Sequence, residues 1–211
     1  MQITWHGFSC FEITTKSGTG EVTIVTDPYQ NSTGLRFPRT LSAALVTVSH
    51  DGEDANNKEG IEKEPFVVSS PGEYEVKGVF AFASQAPTSS TPQNLILRFE
   101  IEHLHVAHVG ALDRTLTDDE LRVLQNIDIL MVPVGGGRVM DAKIAADVIS
   151  QVEPRVVIPM TYDLPGIKEK FAGVDVFCKE MGMGTCEELN KYKVTRKDLP
   201  EEDMRIVVLT R

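Results

Sequence analysis

The sequence predicts an α/β fold in which two β-sheets pack face to face and helices lie outside them. Three observations carry this expectation. The first half of the chain reads almost wholly as short apolar strands separated by turn residues. The second half alternates helical and strand patterns. No internal repeat or low-complexity linker divides the chain, so residues 1–211 read as one domain.

The elements follow in order. Phe11–Thr15 and Glu21–Thr26 alternate apolar and polar residues around the turn Ser17-Gly18-Thr19-Gly20, which predicts a hairpin. Leu45–Val48 and Phe66–Val68 are short apolar runs of the kind that form buried strands. Val76–Ala83 and Leu95–Ile101 follow the same logic, and Val106 leads into a turn at Gly110. Ser84–Pro92, rich in Ser, Thr and Pro, reads as a surface loop. Thr117 and Glu120 have the spacing of a capping box, with Leu116 and Leu121 at the staple positions. Ile127–Val132 is then a strand. Asp141 caps a second helix with Ala145, Val148, Ile149 and Val152 on one stripe, and Glu153-Pro154 stops it. Val156–Ile158, a short helix near Phe177–Met181 and a final strand at Ile206–Leu209 complete the pattern.

Charge narrows the function. Thirty-one acidic against 21 basic residues give a formal net charge of −10. Such a surface repels phosphate backbones and anionic lipid, so neither nucleic acid nor membrane is expected as a partner. No apolar run approaches the roughly 20 residues of a membrane span. Residues 1–6 lack the basic and apolar regions of a signal peptide. Cys10, Cys178 and Cys186 form no CxxC or zinc-ribbon pattern, and three widely spaced cysteines read as thiols of a reducing compartment. A cytoplasmic protein is the expectation.

The segment Ser49–Asn57, crowded with His, Asp, Glu and Asn after a buried strand, is where a site is expected. Here the sequence resembles the metallo-β-lactamase fold, in particular its small metal-dependent hydrolases akin to ascorbate-phosphate lactonase. The resemblance runs over nearly the whole chain. It rests on Ile3-Thr4-Trp5-His6-Gly7-Phe8-Ser9-Cys10-Phe11, Thr26-Asp27-Pro28, Pro71-Gly72-Glu73-Tyr74-Glu75-Val76, His108-Val109-Gly110, Pro133-Val134-Gly135-Gly136 and Ile158-Pro159-Met160. It implies an αββα sandwich of two mixed sheets, with loops at one edge supplying the ligands of two metal ions. Imidazole and carboxylate donors suit zinc or similar ions, which activate a bound water for hydrolysis.

Set against the family pattern His-x-His-x-Asp-His plus a distal His, a bridging Asp and a final His, the chain keeps three of seven positions: His50, Asp54 and His108. Gly52, Ala55, Ala111 and Thr161 stand at the other four. Neither half-site then reaches three protein ligands. Asp113, two residues beyond Ala111, is a carboxylate substitute that would complete a mononuclear site.

Other chemistry-bearing residues read structurally. His103 and His105 share one strand face as cross-strand residues. His6 is a turn residue bonded to backbone, and Cys10 is a buried inert thiol. Gly135-Gly136-Gly137 before Arg138 reads as a tight turn rather than a phosphate cradle. Met181-Gly182-Met183-Gly184 reads as a helix end.

The expectation is a hydrolase relative with a degenerate metal site and no cofactor, holding a small molecule in the old cleft as a binding or scaffold protein. The retained His50, Asp54 and His108 would pair with one another there, raising the histidine pKa. The alternative is a hydrolase with one Zn, Mn or Fe ion, with Asp54 in the chemistry, acting on a lactone, ester or phosphoester. Homo-oligomerisation is compatible with either.

Overall fold

A computed structural model describes residues 1–18 and 20–211. Fourteen strands form two mixed sheets among them. Strands β1 (Gln2–Gly7), β2 (Cys10–Ser17), β3 (Gly20–Thr26), β4 (Leu45–Thr47), β5 (Phe66–Val68) and β13 (Tyr192–Lys193) make a six-stranded sheet in the order β13-β1-β2-β3-β4-β5. The second sheet holds β6 (Gly72–Val76), β7 (Val79–Gln85), β8 (Leu95–Ile101), β9 (Leu104–His108), β10 (Ile129–Pro133), β11 (Val156–Met160), β12 (Glu187–Leu189) and β14 (Arg205–Leu209). Its order is β12-β14-β11-β10-β9-β8-β7-β6. Helices α1 (Asp118–Val123), α2 (Ala142–Val152) and α3 (Val174–Glu180) all follow β9 in the chain.

Period-two alternation decides the packing. Ile3, Trp5, Ile13, Ile24 and Leu45 belong to one large buried cluster with Ile96, Phe99, Val106 and Leu130 from the other sheet. Burial of each such side chain stabilises by about 1.5–3 kcal/mol. The alternate residues of the six-stranded sheet, Cys10, Val25 and Val46, form a second cluster with Tyr29, Leu35, Phe37 and Leu41. The outer face of that sheet is therefore covered by the irregular segment after β3. Among the described residues no α-helix lies between β1 and β9; α2 packs on β10 of the eight-stranded sheet and α3 packs on α2.

Most elements stand where the sequence places them. Thr117 and Glu120 form the capping box of α1, and Asp141 accepts from the Ile144 amide at the start of α2. Glu153, left-handed at φ 52°, closes α2 before Pro154. Val76–Ala83 is a correction: Lys77 and Gly78 turn the chain there, and β6 and β7 form a hairpin. β2 and β3 pair as predicted, although Thr19 of their turn lies outside the described residues.

The cysteines are corrected too. The chain doubles back after α3, where the Met183 amide donates to the Cys178 carbonyl, and Cys178 and Cys186 form a disulfide. Only Cys10 is a free thiol among the described residues. It is fully buried, and that burial pushes its pKa up, as for an inert thiol.

One close approach ties distant loops together. Gly34, at φ +102°, lies against Gly166, and a Cβ at Gly34 would sit 2.2 Å from the Gly166 carbonyl oxygen. The Lys168 amide donates to Thr33 O beside it.

Candidate functional site

β3, β4 and β5 run parallel, as do β9, β10 and β11. Their carboxyl ends meet at one edge of the sandwich, where sheet-based proteins place ligands. Asp27 follows β3, Ser49 and His50 follow β4, His108 ends β9, Arg138 lies beyond β10, and Thr161 follows β11. Leu95 N donates to Ser49 O, and Thr161 N donates to Phe8 O.

A chain of polar groups runs through this edge. The Asp27 carboxylate, wholly buried, accepts from the Ser49 amide at 2.7 Å and from Ser49 Oγ at 2.6 Å. Burial raises the Asp27 pKa, against the lowering effect of His108, His50 and the Ser49 bonds. Ser49 Oγ, its hydroxyl proton directed to Asp27, accepts from His50 Nδ1 at 2.9 Å. His50 Nε2 donates to Asp54 Oδ1 at 3.2 Å, and Arg138 Nη2 donates to Asp54 Oδ2 at 2.6 Å. Arg138 Nε reaches both Glu169 oxygens, at 2.9 and 3.0 Å, and the guanidinium lies 5.8 Å from the Phe171 ring centroid.

The charges follow from this arrangement. Burial opposes charge on His50, but the Asp54 hydrogen bond and the carboxylates of Asp54 and Asp27 outweigh it and raise its pKa. Burial likewise opposes charge on Asp54, yet His50 and Arg138 hold its carboxyl well below the usual carboxylate range. Both ring nitrogens of His50 are thus engaged, Nδ1 by Ser49 Oγ and Nε2 by Asp54 Oδ1. His108 is held differently. Its Nε2 donates to Ser9 O at 2.9 Å, and its Nδ1 accepts from the Gly110 amide at 3.2 Å, which defines a neutral tautomer.

These residues do not fit a metal ion. A metal-binding histidine needs a free nitrogen lone pair. Both nitrogens of His50 are engaged by Ser49 and Asp54 instead, and the Nδ1 lone pair of His108 is taken by Gly110. One Asp54 oxygen is taken by His50 Nε2 and the other by Arg138 Nη2. Asp113 does not come to the site: its carboxylate accepts from Ser89 N, Ser89 Oγ and Ser90 Oγ. The reason is local, since the segment after Gly110 turns toward the Ser84–Pro92 loop. Among the described residues no group of three or more His, Cys, Asp or Glu could hold a metal ion. A side chain at Gly52 would itself collide with the network, for its Cβ would lie 2.6 Å from Asp54 Oδ1 and 2.9 Å from His50 Nε2.

At the other altered positions, the Ala111 amide donates to the buried Asn94 Oδ1 at 2.7 Å, and Thr161 Oγ1 is 2.9 Å from Ser9 Oγ. Two adjoining clefts of about 470 and 480 Å³ open over the network and share His50, Asp51 and Gln93. Gln30, Asn56 and Ser69 line the first, and Ser90, Thr91 and Arg138 the second.

The structure joins His50 to Asp54 as the sequence suggests, while His108 bonds to backbone. Sequence reasoning missed Asp27 and Glu169 as members of the site, placed Ser49 only within the polar segment, and weighed Arg138 only as part of a glycine turn. That turn is structural, since the Gly136 amide donates to Met140 O. Asp27-Pro28 at a strand end was the one visible signal. Two histidines are also corrected. His6 lies in β1 and its Nε2 is 3.2 Å from Glu12 Oε2. His103 is a left-handed turn residue, so only His105 is on β9. Met181–Gly184 follows the end of α3, as expected.

Comparison with known proteins agrees with this fold. Residues 2–161 match the family profile described as "Beta-lactamase superfamily domain". A UPF0173 protein of Pyrococcus abyssi is 28% identical over 192 residues, covering 79% of this chain and 85% of the relative. A UPF0173 metal-dependent hydrolase of Thermoplasma acidophilum is 22% identical over 195 residues, covering 77% and 84%. A Thermotoga maritima crystal structure, classed as a Zn-dependent hydrolase of the metallo-β-lactamase superfamily, superposes with a TM-score of 0.82. It is 30% identical and covers 99% of this chain and 97% of that one.

Proposed function

The chain belongs to the beta-lactamase superfamily, among metal-dependent hydrolases of the metallo-β-lactamase fold, and within it we propose a member that has exchanged its metal centre for an internal ion-pair network. It performs no metal-assisted hydrolysis and holds a small molecule in the cleft above His50, as a binding or scaffold protein. The observation that carries this reading is the sharing of Asp54 between Arg138 Nη2 and His50 Nε2. A guanidinium supplies in cis the positive charge that a metal supplies elsewhere in the family. Two carboxylates satisfy it, and Phe171 stacks near it. A network satisfied throughout is stable without a further ion, because no buried donor or acceptor in it is left unmade.

Metal content tests the reading. Untagged protein purified without chelator is incubated with zinc, desalted and measured by elemental mass spectrometry, with ester, lactone and phosphodiester hydrolysis assayed in parallel. The expected result is no retained metal and no turnover with any divalent ion. Close to one Zn, Mn or Fe per chain, with turnover, would overturn it.

A further inference from the structure

The end of the eight-stranded sheet farthest from α3 carries a surface that the cleft does not use. Register places Glu73 opposite Phe82 and Glu75 opposite Phe80, and across the next pair Phe82 faces Arg98 and Phe80 faces Glu100. These six side chains alternate with the inward-facing Ala81, Ala83, Leu97 and Phe99, so they share the outer face of β6, β7 and β8. No helix covers them. Phe80 is 45% exposed, unusual for a phenylalanine in mid-strand. A groove of about 410 Å³ runs over this face, lined by Glu73, Glu75, Phe80, Phe82 and Glu100 together with Tyr74.

We propose that this face docks a lysine- or arginine-bearing extended segment of a partner protein. The chemistry is that of a cation site built from carboxylates and aromatic rings, where ring faces attract a cation and carboxylates pair with it. The face already shows the contact within its own chain: the Arg98 guanidinium lies 5.5 Å from the Phe82 ring centroid and 2.9 Å from Glu100. Neither Glu73 nor Glu75 has an ion-pair partner among the described residues, so two carboxylates remain for an incoming cation. β6 ends its sheet, and an extended chain laid beside it presents side chains at the same two-residue period as Glu73 and Glu75. Charge selects the occupant. The face holds three carboxylates and one guanidinium, and the whole chain carries −10, so a second copy or a nucleic acid meets like charge.

The test uses the full chain and an N-acetylated octapeptide alternating lysine with threonine, against a control alternating glutamate with threonine. Backbone NMR shifts are followed as each is added, and sedimentation of the protein alone reports self-association. The expected result is shifts confined to β6–β8 with the lysine peptide only, weakened by added salt. The double variant Glu73→Lys/Glu75→Lys should lower affinity roughly tenfold, with a comparable loss in Phe80→Ser. Both alter exposed side chains, and circular dichroism checks that the fold is kept. Shifts at the His50 cleft, no shifts, or equal binding of both peptides would overturn the proposal. So would a dimer of the protein alone that Phe80→Ser dissociates.

Discussion

Arg138 and Asp54, 84 residues apart in the chain, are joined by a 2.6 Å hydrogen-bonded ion pair in which Asp54 is almost wholly buried. Removing one partner of such a pair leaves the other charge without compensation. Arg138→Gln should therefore cost about 2–4 kcal/mol, short of the full buried-pair penalty because the guanidinium keeps some contact with water. Arg138→Lys keeps the charge but lacks the fork that reaches Asp54 and Glu169 together, so it should fall between the two. Urea denaturation of the three proteins orders them. Equal midpoints would show that the pair adds nothing.

The His50–Asp54 pair has a pH signature. His50 has a folded pKa above its ordinary value of 6.5, so its contribution is fully present below that pH and fades as pH rises through the folded value. Asp54 has a folded pKa below its ordinary value of 3.8, so its contribution is present above that pH and fades as pH falls. The stability advantage of wild type over His50→Gln should thus be greatest between these two values and shrink on either side. Midpoints of thermal unfolding across pH measure it. NMR titration should show the His50 ring losing its proton above 6.5, and a midpoint at or below that value would contradict the pairing.

Gly52 holds the second histidine position of the pattern that the sequence resembles, yet placing a histidine there should not create a metal site. The new Cβ displaces Asp54 and His50 while Arg138 still holds Asp54. Gly52→His is expected to lose about 1–3 kcal/mol through overpacking and to retain no zinc by elemental analysis. Tight zinc binding by that single variant would show that the network yields to metal.

Asn94 is fully buried, and it accepts from the Ala111 amide while donating to Ala86 O and Val109 O. Asn94→Ala leaves these three groups unpaired and should cost at least about 3 kcal/mol, since each orphaned group costs about 1–3 kcal/mol. Hydrogen exchange at Ala111 should accelerate with it. Unchanged protection there would assign that amide another partner.

The Cys178–Cys186 disulfide closes a short loop between α3 and β12. Cys178→Ser/Cys186→Ser should lower stability by about 2–3 kcal/mol by freeing the unfolded chain. Dithiothreitol should shift the wild-type denaturation curve toward that of the variant and leave the variant unmoved.

How far the fold was legible depended on the range of the interactions that decide it. Leu95–Ile101 is bounded as read, and the Thr117 box and Asp141 cap are where they were placed, because those signals lie within a few residues. The Val76–Ala83 reading failed where an apolar run continued through the Lys77-Gly78 turn. The site divided in the same way. His50 and Asp54 lie four residues apart and were read together. Arg138, Glu169 and Asp27 reach them only through the folded chain, and Asp113 turned elsewhere. The disulfide escaped because spacing alone does not show that α3 doubles back.

The contact between Gly34 and Gly166 has a genetic consequence. Gly34 lines neither cleft and looks like an ordinary loop glycine. Its backbone nevertheless packs on the stretch that continues through Lys168 to Glu169, the second anchor of Arg138. A random screen for variants that loosen the cleft should therefore recover Gly34 substitutions alongside changes in the charged residues themselves. A lineage that lengthened the loop around Gly34 would lose the backbone contact through which that position bears on the cleft.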